Sequence, residues 1–402
     1  MLKNSVEMNK YQNAIQDLLV TTDIKINGNR PWDIQVKNEN FYKRVLQNGS
    51  LGLGNSYMEA WWKCDQLDEL FYRLFKADLE KSIKTNFKLK WLILKAKLFN
   101  RQTKTKAEKS IASHYDIGNK LFKKMLDPLM IYSCGYWQEA ENLKQAQENK
   151  LELICRKLKL QEGQSVLDIG CGWGGFAYYC AKNYKVKVTG ITISKEQFDF
   201  AKAGCKGLNV EIRLQDYRDL NEKYDRIVSI GMLEHVGYKN YSPYMEIVKN
   251  NLKDEGICLL HFIGNNESEY TTDPWINKYI FSEGLVPSMT QISMAMENQL
   301  ILQDAHNFGP YYDKTLMAWY HNFKNAWPEF EKSYDESFYK MWEFYLCSAA
   351  ASFRAKRLQL WQLVVTKKEF SSIYQSVRPK HLNTRELDSF NNHKRIPKSE
   401  IA

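Results

Sequence analysis

No run of apolar residues in this 402-residue chain approaches the roughly 20 that cross a bilayer. Cysteine is sparse, eight in 402. That is too few for a disulfide scaffold, and a chain this long buries a sizeable core without one. No CxxC pair and no Cys/His cluster at zinc spacing occurs, so no metal site is expected. The N-terminal MLKNSVEMNKYQNAIQDLL lacks the apolar centre of a signal peptide. Together these absences lead to the expectation of a reduced, cytoplasmic protein, soluble or peripheral. The composition is ordinary, at 44% hydrophobic, 26% charged and 13% aromatic residues. Such values exclude low-complexity, collagen-like and coiled-coil chains. What stands out is a basic excess, with Lys and Arg 57 against Asp and Glu 47, a net +10. It favours an anionic partner, nucleic acid or membrane surface alike.

The length suggests two domains, and no solenoid-period repeat is visible. Residues 1–80 are mixed, with short β-like runs at Ile24–Ile26 and Ile34–Val36 and helical patterning from Phe41. Residues 81–110 form a basic linker, residues 111–378 alternate strand and helix signals, and residues 379–402 form a polar tail. From Lys76 to Ser110 eleven Lys or Arg stand against Asp78, Glu80 and Glu108, a net +8. Read as a helix, Ile83, Phe87, Trp91, Leu94 and Leu98 fall within about 80° of one another. Lysines on both edges of this stripe can reach phosphates while the stripe enters an interface. The alternative is an inter-domain helix whose stripe packs on protein. Duplex nucleic acid suits the segment poorly, because the face carries Trp and Phe where a duplex needs cations.

Ser165-Val166-Leu167-Asp168-Ile169 reads as a strand, Gly170-Cys171-Gly172-Trp173-Gly174-Gly175 as a glycine turn, and Phe176 onward as a helix. Strands at Val186–Ile191, Val210–Leu214, Arg226–Ile230 and Ile257–Phe262, with a helix at Lys195–Lys206, complete a doubly wound parallel sheet. Such a sheet binds ligands at the carboxyl ends of its strands. The turn departs from the G-x-G-x-x-G of dinucleotide domains. Its Asp-Ile-Gly and close Gly-Trp-Gly resemble the first motif of class I methyltransferases that bind S-adenosylmethionine. The second strand ends Gly190-Ile191-Thr192-Ile193-Ser194, where many such enzymes carry an acid for the ribose. Thr192, Ser194 or Gln197 would take that role here. Asp216, after Leu214-Gln215, is positioned to meet the adenine amino group, or else to cap a helix.

Longer motifs are more specific. They include Arg44-Val45-Leu46-Gln47, Gly49-Ser50-Leu51-Gly52-Leu53-Gly54, Ser56-Tyr57-Met58 before Trp61-Trp62, and His114-Tyr115-Asp116 before Gly118-Asn119. Next come Tyr132-Ser133-Cys134, the glycine turn and Gly231-Met232-Leu233-Glu234-His235-Val236-Gly237. Asp273-Pro274-Trp275-Ile276, His306-Asn307-Phe308-Gly309 and Met317-Ala318-Trp319-Tyr320 follow. In this order, from about Ile24 to about Val365, the chain resembles the cyclopropane-fatty-acyl-phospholipid synthase family.

The resemblance implies a Rossmann-like class I methyltransferase fold with a smaller N-terminal mixed α/β lipid-handling domain. It implies transfer of the methyl carbon of S-adenosylmethionine to a cis double bond of a phospholipid acyl chain, with ring closure. The base it implies is a bound bicarbonate, held at Cys134, Glu234, His261, Ile263 and Tyr320. The backbone NH at Ile263 is expected to donate to that anion. Cofactor contacts are expected at Tyr132, Ser133, Gly170, Gly172, Thr192, Gln197, Gln215 and Asp216. Each residue alone has a plainer reading, such as an inert buried cysteine, a satisfied core histidine or a packing tyrosine. The implied partner is a bilayer with unsaturated chains, met at the inner face of the cell membrane; nucleic acid is not. A homodimer is also implied. Two alternatives remain: a related methyltransferase that makes branched chains or methylates an amine, and a non-catalytic lipid-binding protein.

Overall fold

The computed structural model describes residues 2–77, Leu79 and residues 118–378, with backbone only for residues 2–9. The basic segment at 81–110, the His114-Tyr115-Asp116 motif and the tail at 379–402 lie outside the described residues.

The N-terminal layer contains α1 (Leu2–Leu19), β1 (Gln35–Val36), α2 (Asn40–Met58), β2 (Trp62–Lys63) and α3 (Leu67–Lys76). The β-like runs become one bridge between Ile26 and Ile34 and a two-residue pairing of β1 with β2. Phe41, Tyr42 and Leu46 lie on one side of α2 and bury there, which is what holds the helix down.

After α4 (Asn119–Met125) and α5 (Leu143–Lys157), the chain alternates β3 (Ser165–Ile169), α6 (Gly175–Tyr184), β4 (Lys187–Thr192), α7 (Lys195–Gly204) and β5 (Val210–Leu214). It continues through β6 (Tyr224–Ile230), α8 (Leu233–Val236), α9 (Tyr241–Asn251) and β7 (Leu252–Asn265). Next come α10 (Pro274–Tyr279), α11 (Met289–Met296), β8 (Ile301–Asn307), α12 (Pro310–Ala326), α13 (Glu336–Arg354) and β9 (Leu358–Thr366). The sheet order is β5-β4-β3-β6-β7-β9-β8. Strands β3 to β7 are parallel, as expected. The last edge departs from that expectation, because β9 runs antiparallel between β7 and β8. An antiparallel edge is common on such sheets. The order reverses between β3 and β6, and this reversal opens the ligand crevice.

Strand alternation sorts the core into layers. Val166, Val188, Val228, Leu259 and Val364 pack with the apolar faces of α5 and α6. Leu167, Ile169, Ile227, Leu260 and Val365 pack with those of α9 and α11. The N-terminal layer shares a third cluster with α10, α12 and α13. Phe344 of α13 is its node, 4.4 Å from the Trp275 ring, 4.8 Å from Phe71 and 5.9 Å from Tyr57. Gly54 of α2 lets the Trp275 indole approach, since a Cβ there would lie 2.3 Å from it. Asp273 accepts from the NH groups of Trp275 and Ile276 at 2.9 and 3.1 Å, which caps α10 and sets that indole. All eight cysteines are free, and all but Cys64 are buried.

Candidate active site

The carboxyl ends of β3, β4 and β5 gather the expected cofactor residues. Gly172 has φ +54°, a conformation that side chains resist, and a Cβ there would meet nothing within 4 Å. The turn is therefore open above its backbone. The NH groups of Gly170 and Cys171 both donate to the Ile191 carbonyl, which ties the turn to β4. The Thr192 hydroxyl donates to Oε1 of Gln197 at 2.9 Å, and Ser194 caps α7. The NH of Gln215 donates to the Thr192 carbonyl at 3.0 Å. Asp216 caps a short 3-10 turn and grips Arg218, which holds its carboxyl below the usual range. The capping role weighed for Asp216 is therefore present. Trp173 donates to Asn119 at 2.7 Å, joining the turn to the start of α4.

Tyr132, Ser133 and Cys134 sit on the loop between α4 and α5. The Ser133 hydroxyl accepts from Lys150 at 2.9 Å, and its carbonyl accepts from Gln147 at 2.8 Å. Both partners come from α5 and are fully buried. Burial lowers Lys150 to about 8 and raises nearby Asp168, at the end of β3, to about 7. The Tyr132 hydroxyl bonds that of Tyr345 at 3.0 Å, and its ring lies 5.0 Å from that of Trp319. Cys134 is fully buried, and its Sγ lies 3.9 Å from the Thr315 hydroxyl. Burial pushes this thiol up, so it stays neutral.

Glu234 opens α8 just past β6. Its Oε1 accepts from the NH of Ile263 at 2.8 Å, while Oε2 is enclosed without a partner among the described residues. Burial pushes the carboxyl up to about 7. The Ile263 NH, expected to face a ligand, is thus spent on orienting Glu234. His261 lies two residues earlier on the same face of β7 and is 1% exposed. Burial, then Lys150 and Lys157, hold its imidazole neutral. Its Nε2 is also enclosed and unpartnered among the described residues.

Tyr320 stands apart from this group. Its hydroxyl donates to Oε1 of Glu343 at 2.7 Å, and Tyr57 of α2 donates to Oε2 of the same carboxylate at 2.6 Å. The tyrosine that feels Cys134 and Glu234 is Tyr312, two turns earlier on α12, 7% exposed. Burial first, then Tyr345, Cys134 and Glu234, keep its hydroxyl protonated. Sequence reasoning missed Tyr312, although it follows the quoted His306-Asn307-Phe308-Gly309 by three residues. It also missed Lys150 and Lys157, whose signal was two cations seven residues apart on a helix face that also carries Leu143, Ala146, Leu153 and Ile154.

Residues 102–363 match the family described as mycolic acid cyclopropane synthetase. The cyclopropane-fatty-acyl-phospholipid synthase of Escherichia coli (strain K12) is 53% identical over 363 residues, covering 90% of this chain and 95% of that protein. The chain belongs to the cyclopropane synthase family. It is an S-adenosylmethionine-dependent methyltransferase. The cyclopropane synthase MmaA2 from Mycobacterium tuberculosis superposes with a TM-score of 0.60 at 27% identity, covering 66% of this chain and all of that one. The mycolic acid cyclopropane synthase CmaA1, solved with S-adenosylhomocysteine, gives 0.60 at 28% identity over 64% of this chain and 97% of its own. Among the described residues of this family member, no helix is long and apolar enough to cross a membrane.

Proposed function

We propose that this methyltransferase moves the methyl carbon of S-adenosylmethionine onto a cis double bond of an unsaturated phospholipid chain and closes a cyclopropane ring, with bicarbonate bound beside the reacting carbon. One observation carries the reading: Oε2 of Glu234 and Nε2 of His261 are both enclosed and unpartnered among the described residues. Buried polar atoms nearly always find partners, so a small polar ligand at these atoms fits. His261 and the Tyr312 hydroxyl can each donate to an oxyanion, whereas the Cys134 thiol donates to the Gly135 carbonyl at 3.2 Å and would have to turn from it to do so. Glu234, near half-protonation at neutral pH, can share a proton with it without like-charge repulsion. Bicarbonate bound there would supply a base for the proton that leaves the transferred carbon. In this reading Tyr312 takes the place expected of Tyr320, and Ile263 acts through Glu234.

The alkene is a weak nucleophile, so the chain's residues must align it, exclude water and favour positive charge. Tyr132, Trp319 and Tyr312 supply the wall, with ring centroids 5.0 and 5.9 Å from Trp319. Aromatic faces attract a cation within about 6 Å. The lipid lies in a bilayer, so the enzyme docks on its inner face, and the net +10 suits anionic headgroups.

Purified protein, S-adenosylmethionine with a trideuterated methyl group and vesicles of unsaturated phospholipid test the reading. Ring closure adds a carbon that keeps two deuterons. Chains that keep three, or that never change mass, would overturn it.

A further inference from the structure

A row of polar side chains lies behind His261, on the face of the sheet covered by α5. His261 of β7, Gln362 of β9 and His306 of β8 stand directly opposite one another across three antiparallel strands. Residues so paired project to the same face, close enough to bond. Gln362 is fully buried. Lys157, the last residue of α5, is also fully buried, and its ammonium reaches the same row. It donates to Oε1 of Gln362 at 2.8 Å and lies 3.1 Å from Nδ1 of His306 and 4.0 Å from the Asp304 carboxylate.

The directions of these bonds follow from which groups can donate. Burial lowers Lys157 to about 7, while the Asp304 carboxylate favours its charged form; as an ammonium it has donors only, so the carboxamide oxygen of Gln362 faces it. The carboxamide NH₂ is then turned the other way, where it lies 3.1 Å from Nδ1 of His261. An NH₂ group can only donate, so Nδ1 must accept. In a neutral imidazole the one proton then sits on Nε2. That nitrogen is enclosed and unpartnered among the described residues.

We propose that Gln362, oriented by Lys157, is a positioning residue that fixes His261 as its Nε2–H tautomer, so that the imidazole offers a donor to the anion beside Glu234. The opposite tautomer would aim a lone pair at that anion and repel it. The inference rests on the bicarbonate reading for the anion alone; the tautomer follows from Lys157 and Gln362. Neither residue touches the reacting atoms.

Protein labelled with ¹⁵N-histidine and read by two-bond ¹H–¹⁵N correlation tests the tautomer, with His261→Asn identifying the signals. Nε2 should be pyrrole-type and Nδ1 pyridine-type. The reverse pattern, or an imidazolium near neutral pH, overturns the proposal without any variant. Gln362→Glu keeps a partner for Lys157 but demands a proton on Nδ1, so the pattern should invert. Turnover at saturating S-adenosylmethionine should then fall about tenfold to a hundredfold, with cofactor affinity and melting temperature nearly unchanged. Inversion with full turnover would overturn the role given to the tautomer. Gln362→Met, which lacks both groups, guards against misfolding of the glutamate variant; it should give mixed tautomers and an intermediate rate, and one fixed Nε2–H tautomer would overturn the role of Gln362. Wild-type turnover indifferent to bicarbonate depletion would remove the anion reading and leave the tautomer to the spectrum.

Discussion

Burial sets the protonation of Glu234. Its carboxyl rises from 4.5 to about 7 on folding. Below about 4.5 both folded and unfolded chains hold the proton; between about 4.5 and 7 only the folded chain does. Stability from this group is therefore full at low pH and is lost as pH rises through about 7. Glu234→Gln is neutral throughout and removes that slope. Melting temperatures from pH 4.5 to 8 should fall more for the wild type than for the variant, and parallel curves would contradict the assignment. Under the proposed function the two tyrosines of α12 separate chemistry from scaffolding. Tyr312→Phe should slow turnover about a hundredfold with cofactor affinity held, as isothermal titration would read. Tyr320→Phe should leave turnover nearly intact and lose about 1.5–3 kcal/mol of stability, the worth of a hydrogen bond to a carboxylate. At this scale the sequence told less than it promised. Tyr312 and Tyr320 sit eight residues apart on one helix, both beside quoted motifs. Only the packing of α12 decides which hydroxyl lies within the influence of Cys134 and Glu234 and which meets Glu343.

At the scale of elements the reading went further. The glycine turn, the helix after it and the parallel strands to Phe262 were legible, because a doubly wound sheet writes its buried strands as short apolar runs. The antiparallel β9 was not, since direction leaves no trace in a run such as Leu358–Thr366. The motif glycines had a use that spacing could not disclose: Gly54 faces Trp275, a residue 221 positions away in the chain. Gly54→Ala weighs two effects. Alanine improves helix propensity by about 1 kcal/mol. Its methyl meets the indole at 2.3 Å, and overpacking costs about 1–3 kcal/mol. The indole is pinned by the Asp273 cap and by Phe344, so the clash should win. Chemical denaturation should show a net loss, with shifted tryptophan emission; a more stable variant would mean that α10 gives way freely.

At the scale of the whole molecule, charge and cohesion matter most. Most of the +10 lies between Lys76 and Ser110, which largely falls outside the described residues. Each lysine near an anionic surface contributes about 1 kcal/mol. Replacing Lys84, Lys88 and Lys95 by Gln should weaken sedimentation with anionic vesicles, and flatten its salt dependence, without changing affinity for S-adenosylmethionine. Equal binding by both forms would send the stripe back to the alternative of packing on protein.

The carboxylate of Glu343 takes one hydroxyl from each half of the chain, Tyr57 and Tyr320, directly beside the Phe344 node. Chimeras are constrained accordingly. A foreign N-terminal segment grafted onto this catalytic half would have to bring a phenol for Glu343 and a bare backbone opposite Trp275. A graft lacking either would leave an acid and an indole stranded at the seam.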